Sequence, residues 1–205
     1  MNKKMGKYGS LLTGLSVLSF AILMIFGIFT NTLFFSCLSS MFIAIGFIPF
    51  MVSIYSINQD KEKNSVGLTG IAFSVIYAVL VFIVYYAECT TIRLNSNLSE
   101  EALNIISYEK LGSLFFNYDL LGYAFMALST FFISFTVKVS DKVSKYLKVL
   151  LFIHGIFFIC CLIMPIFPVF TSGTNSIIGT IILEIWCLYF LPICILGYKY
   201  FCKKS

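Results

Sequence analysis

Charge is scarce in this sequence: Asp, Glu, Lys and Arg together supply 11% of its residues, against 60% apolar types. So few ionic groups cannot coat a water-soluble globule. With a mean hydropathy of +0.97, the chain reads as an integral membrane protein. Histidine occurs once and no CxxC pair is present, so no zinc site or other cofactor is expected. The seven cysteines lie almost wholly inside apolar runs, where a thiol acts as a small hydrophobe. Cys37 and Cys89 fall at one depth and form a candidate bridge, against the commoner packing role.

Signatures of catalysis are missing as well. Tyr118 and Asp119 form a Tyr-Asp pair, but the GxGD partner of an intramembrane aspartyl protease is absent. Glu100 and Glu101 do not complete an EExxxR pattern, and GxSG, HExxH and GxxxxGK do not occur, which weighs against an enzyme. The net charge of +5 is spread over the ends of apolar runs instead of gathering on one face, which excludes nucleic acid as a partner.

What the chain does contain is apolar runs long enough to cross a bilayer. At about 20 residues per crossing, 205 residues allow about six spans and no separate soluble domain. The expected fold is all-α: one polytopic domain over 1–205, a six-transmembrane-helix bundle with short loops. The spans fall at about 9–29, 33–57, 66–91, 111–137, 149–170 and 176–200. The first run follows a basic leader, MNKKMGK, but is longer than a signal core and lacks a cleavage pattern, so it reads as a retained span. Between spans three and four, Asn97 with Glu100 three residues on predicts the start of a short extracytoplasmic amphipathic helix, either a connector or a lid. KVSDKVSKYLK reads as a basic turn before span five, in which Pro165 and Pro168 disturb the helix. TSGTNS, at 171–176, is an uncharged turn.

Twelve of the fourteen basic residues fall on the side that holds both termini; only Arg93 and Lys110 fall on the other. The positive-inside rule therefore predicts a plasma-membrane protein with cytoplasmic N- and C-termini.

Asp119 lies well inside span four, at a depth where an ionised carboxylate costs about 2.5–3.5 kcal/mol and must face protein or water. Its span carries a polar stripe of Asp119, Gly122, Tyr123, Met126 and Thr130. Span three has one of Gly70, Ser74, Tyr77, Tyr85 and Glu88, and span six one of Thr180, Glu184, Cys187, Leu191, Cys194 and Tyr198. At about 1.5 Å per residue, Asp119 and Glu184 sit about 8–12 Å below the outer boundary, with Glu88 nearer to it. The candidate site is Asp119 and Glu184 as ligands, Tyr77 and Tyr123 as hydrogen-bond partners, and Glu88 at the rim. Beside it stands the plainer reading, in which Glu88 snorkels to the headgroups, Arg93 anchors at the interface and the deeper acids cross-link helices. His154 reads as a hydrogen-bonded packing residue, and Trp186 as lipid contact and packing.

Two functions follow from these residues. One is binding and transport of a small solute or cation, coupled to protons through the acidic site. The other is a non-catalytic sensor or interaction subunit with a membrane-protein partner, in which the buried acids are structural. Either way, the first partner is the lipid bilayer.

Overall fold

The computed structural model describes residues 1–167 and 176–203, without the side chains of 176–178. Among the described residues the protein is all-α, with no strand. Five stretches are long and apolar enough to cross a membrane: Asn2–Phe26, Leu33–Ile57, Lys61–Ile92, Lys142–Ile166 and Gly179–Lys203. The expectations placed on Pro168, residues 171–175 of the turn and Lys204 lie outside the described residues.

Helix α1 (Asn2–Phe26) starts earlier than the apolar run, because its leader carries contact residues: a side chain on Gly6 would collide with the Phe201 ring. It also ends earlier, where the Thr32 hydroxyl donates to the Leu23 carbonyl (2.7 Å) and turns the chain into α2 (Leu33–Ile57). A 3₁₀ turn, Lys61–Lys63, leads into α3 (Asn64–Ala87), which continues through a π-helical turn, Glu88–Ile92. The short helix α4 (Glu100–Ile106) is capped by Ser99, whose side chain accepts from the Ala102 N–H (3.2 Å); the expected cap, Asn97, sits in the turn before it. Helix α5 (Leu114–Ser134) is capped by Ser113, just after Gly112 turns the chain at φ 81°.

The fifth run departs most from expectation. Its basic turn is helical, because Asp141 and Ser144 form a capping box that starts α6 at Lys142. This helix stops at His154, and α7 (Ile156–Ile166) resumes after Gly155, whose missing side chain lets Phe131 close in. Helix α8 (Ser176–Lys203) completes the fold.

These elements close into a ring. Helix α1 packs on α2, α2 on α3, α3 on α5, α5 on both α6 and α7, α6 on α8, and α8 back on α1. One seam is incomplete: α7 packs on α5, and no comparable α7–α8 packing exists among the described residues. In the middle of the ring Phe47, Tyr77, Met126 and Phe190 are fully buried.

The end of the ring away from α7 is tied by hydrogen bonds. Asn58, 2% exposed, donates to the Ile54 carbonyl (2.7 Å) and accepts from the Tyr200 hydroxyl (2.8 Å) and the Lys138 N–H (3.4 Å). Lys203 meets Asp141 at 2.8 Å. Lys203 and the Ser144 N–H together hold the Asp141 carboxyl well below the usual carboxylate range. A depressed folded-state pKa contributes stability that is complete above the unfolded value, about 3.9, and fades as pH falls from there through the folded value. The thermal midpoint of wild type in detergent should therefore exceed that of Asp141→Ala by a constant gap down to about pH 5, narrowing below it. A gap that widens in acid contradicts this account of the cap.

Candidate functional site

The incomplete seam holds a cavity of about 260 Å³. Helix α5 contributes Phe116, Asp119, Leu120 and Tyr123; α7 contributes Phe157, Cys160, Cys161 and Met164; α8 contributes Gly179, Ile182, Leu183 and Trp186. Tyr108, from the segment after α4, closes one end. Helical periodicity accounts for these faces: Phe157, Cys161 and Met164 step by four and three residues, as do Asp119 and Tyr123, and Gly179, Leu183 and Trp186. The lining is almost wholly apolar, with Asp119 the single carboxylate.

Asp119 is 3% exposed, and its Oδ1 has no hydrogen-bond partner. The Tyr85 hydroxyl is directed toward it without closing a bond, and is itself unpartnered. Tyr123 and Tyr77 lie ring to ring at 5.7 Å, their hydroxyls near each other and likewise unsatisfied. Buried polar groups normally find partners, and each one left alone costs about 1–3 kcal/mol. Here Asp119, Tyr77, Tyr85 and Tyr123 leave four such atoms in one neighbourhood.

The other two acids are placed differently. Glu88 is 3% exposed and does not reach the headgroups: it accepts from the Tyr108 backbone N–H and so ties the segment after α4 to the end of α3. A snorkelling glutamate was the expectation for an acid at a helix end. Glu88 lies instead on the inward stripe of α3 with Tyr77 and Tyr85, against residues 107 and 108. Burial holds the phenol of Tyr108 well above its usual range, so it stays a neutral hydroxyl.

Glu184 is half-buried, with Oε1 unpartnered, but it does not line the cavity. At about 100° per residue it points about 150° away from the mean direction of Gly179, Ile182, Leu183 and Trp186. The stripe expected on span six is therefore only partly the buried face of α8, which runs through Trp186, Cys187, Phe190, Ile193 and Cys194. Among the described residues Arg93 pairs with no acid: its Nε–H donates to the Cys89 carbonyl (2.9 Å), and its guanidinium lies 4.7 Å from the Phe34 ring centroid. Cys37 and Cys89 are both buried and free, the Cys89 thiol facing the Phe34 carbonyl at 3.9 Å.

Trp186 is a site residue that sequence reasoning missed. It is 5% exposed, packs edge-on to Tyr123 (4.9 Å between ring centroids) and donates through Nε1–H to His154 Nε2 (3.1 Å). The Thr130 hydroxyl gives its proton to the Ala127 carbonyl (2.8 Å), so the 2.8 Å contact between His154 Nδ1 and Thr130 Oγ1 is donated by the imidazole. Both ring nitrogens are thus engaged in a neutral imidazole, which positions the back of the cavity wall and has no free nitrogen for proton relay. The spacing of Trp186 from Gly179 and Leu183 was a readable signal, but α8 offers apolar residues on every face.

Among the described residues no three His, Cys, Asp or Glu side chains gather as a metal-ligand set. Comparison with protein-family models, with curated proteins and with solved structures finds no match.

Proposed function

We propose that the protein is a six-span, single-domain carrier over residues 1–205 of the plasma membrane. In this reading it binds a small solute or cation at Asp119 and exchanges it for a proton. The observation that carries the reading is the unpaired Oδ1 of a buried carboxylate that lines a cavity. In a low-dielectric interior such an oxygen is stable with a proton on it or a cation beside it, and these two compete for one place. Tyr77, Tyr85 and Tyr123 offer hydroxyls that can turn to whichever is present, and Glu88 fixes the covering segment at the rim.

Helix α5 is the sixth span of this proposal. Its 21 residues reach about 32 Å at 1.5 Å each, enough for a hydrocarbon core of about 30 Å. Asn117, Asp119 and its hydroxyl residues lower its hydropathy, a composition suited to a helix with five packing neighbours in the bundle. The lysine-rich end, with both termini, lies in the cytoplasm, and α4 lies outside it.

The alternative, a sensor or interaction subunit whose acids only join helices, fits Glu88, which is hydrogen-bonded across two segments. It accounts less well for Asp119: Glu88 is held through Oε1 and leaves only Oε2 unpaired, whereas among the described residues no hydrogen bond to the Asp119 carboxylate closes.

Proteoliposomes loaded with a pH-sensitive dye provide the test. An inward gradient of sodium, potassium or an organic ammonium ion should drive protein-dependent proton efflux, with at least one of the three active. Dye traces identical to those of protein-free vesicles for all three would count against the exchange reading.

A further inference from the structure

The chemistry of the cavity wall narrows the ligand. A hard inorganic cation takes about six oxygens, chiefly of carboxylates, carbonyls and water, and the described wall offers one carboxylate with the phenol hydroxyls of Tyr108 and Tyr123. An anion is disfavoured because no lysine or arginine is among the described residues that line the cavity. The rest of the wall is aromatic and aliphatic: Tyr123 and Trp186 meet edge to face on one side, with Phe116 and Phe157 on others. Ring faces attract a diffuse organic cation, most strongly where water is excluded. The seam where α7 leaves α8 is also where two lining residues, Cys160 and Ile182, are exposed on the outer surface of the bundle, so the cavity borders the side that lipid would cover.

Size sets the last limit. An apolar cavity of about 150 Å³ takes benzene, so one of about 260 Å³ takes a ligand of about ten non-hydrogen atoms. We propose that this cavity binds a lipophilic monovalent ammonium ion of that size, its nitrogen beside Asp119 and its body against Trp186, entering sideways between α7 and α8. This rests on the reading of Asp119 as the exchange site and supplies its substrate class.

Phenyltrimethylammonium and tert-butylbenzene are isosteres of ten heavy atoms that differ in charge, and Trp186, the only tryptophan of the chain, reports occupancy by its fluorescence. Titrated into the full-length protein in phosphatidylglycerol nanodiscs, the cation should bind saturably and at least tenfold more tightly than the hydrocarbon. In Asp119→Asn that preference should vanish while tert-butylbenzene affinity stays within twofold, which also shows that the variant folds. Asp119→Glu should recover part of the preference. Equal affinity of wild type for the two probes, or no saturable change in Trp186 with either, overturns the proposal. So does cation binding seen in phosphatidylglycerol and lost in phosphatidylcholine bilayers, because the ammonium would then be that of a lipid headgroup.

Failure of the two readings separates cleanly. Sodium-driven proton efflux without phenyltrimethylammonium binding removes this inference alone. Binding of the probe without any proton movement removes coupled transport and leaves the ligand class standing.

Discussion

Asp119→Asn should abolish cation-driven proton exchange in proteoliposomes while Glu184→Gln leaves it within about twofold of wild type. The asparagine keeps the shape of the side chain and removes the group on which, in the exchange reading, proton and cation compete, so the loss should be at least tenfold, about 1.4 kcal/mol or more. Sequence position ranks the two acids alike, since each lies inside a span in the same half of the bundle. Geometry separates them. Asp119 lines the cavity beside Tyr123, whereas Glu184 is turned toward another side of α8. Equal loss in both variants would mean that the acids act together, and would remove Asp119 as the sole exchange group.

The second large effect is a contrast between two glycine-to-alanine substitutions. A Cβ on Gly46 would fall 2.6 Å from Thr13 Oγ1, 2.7 Å from Thr13 N and 3.0 Å from the Gly9 carbonyl. Gly9 is as tightly placed against the Phe50 N and the Gly46 carbonyl, at 2.8 and 2.9 Å. The obstacles are mainly main-chain atoms, so no rotamer change relieves them and α1 must move off α2. Gly46→Ala should cost about 1–3 kcal/mol, seen as a markedly lower unfolding midpoint in detergent and less monodisperse protein. Gly122→Ala should behave in the opposite way. Its Cβ would meet Leu80, Val81 and Tyr77 at 3.4–3.8 Å, ordinary contact, and alanine gains about 1 kcal/mol of helix propensity over glycine. A stable Gly46→Ala would show that the α1–α2 contact is looser than these distances.

The sequence made the apolar runs plain, because lipid-spanning segments need about twenty apolar residues and little else in a chain does. The stripes on α3 and α5 were also readable: Ser74, Tyr77, Tyr85, Glu88, Asp119, Tyr123 and Thr130 are all buried, since polar residues in an apolar helix have only the protein interior to turn to. Helix α8 was harder. Its buried face is chosen by how Trp186, Phe190 and Phe201 pack, and one apolar residue looks much like another to a period count. The break at Gly155 was invisible for a related reason. Glycine is tolerated inside spans, and only the approach of Phe131 makes this one the end of a helix. The helix start at Asp141 could have been read, because Asp with Ser three residues on is a cap, but the surrounding lysines suggested a turn.

Asn58 and the ion pair of Lys203 with Asp141 clamp one rim of the ring, while toward the opposite rim lie the unmatched oxygens of Asp119, Tyr85 and Glu88 and the incomplete seam. Stiffness in this molecule is therefore graded along its long axis. Among the described residues no side-chain hydrogen bond holds α7, so a swing of α7 that enlarged the cavity would sever none there. The same swing at the far rim would first have to unfasten Asn58 from Tyr200. In the carrier reading proposed above, opening at the α7 end would leave the Asn58–Tyr200 hydrogen bond and the Lys203–Asp141 ion pair closed at the other.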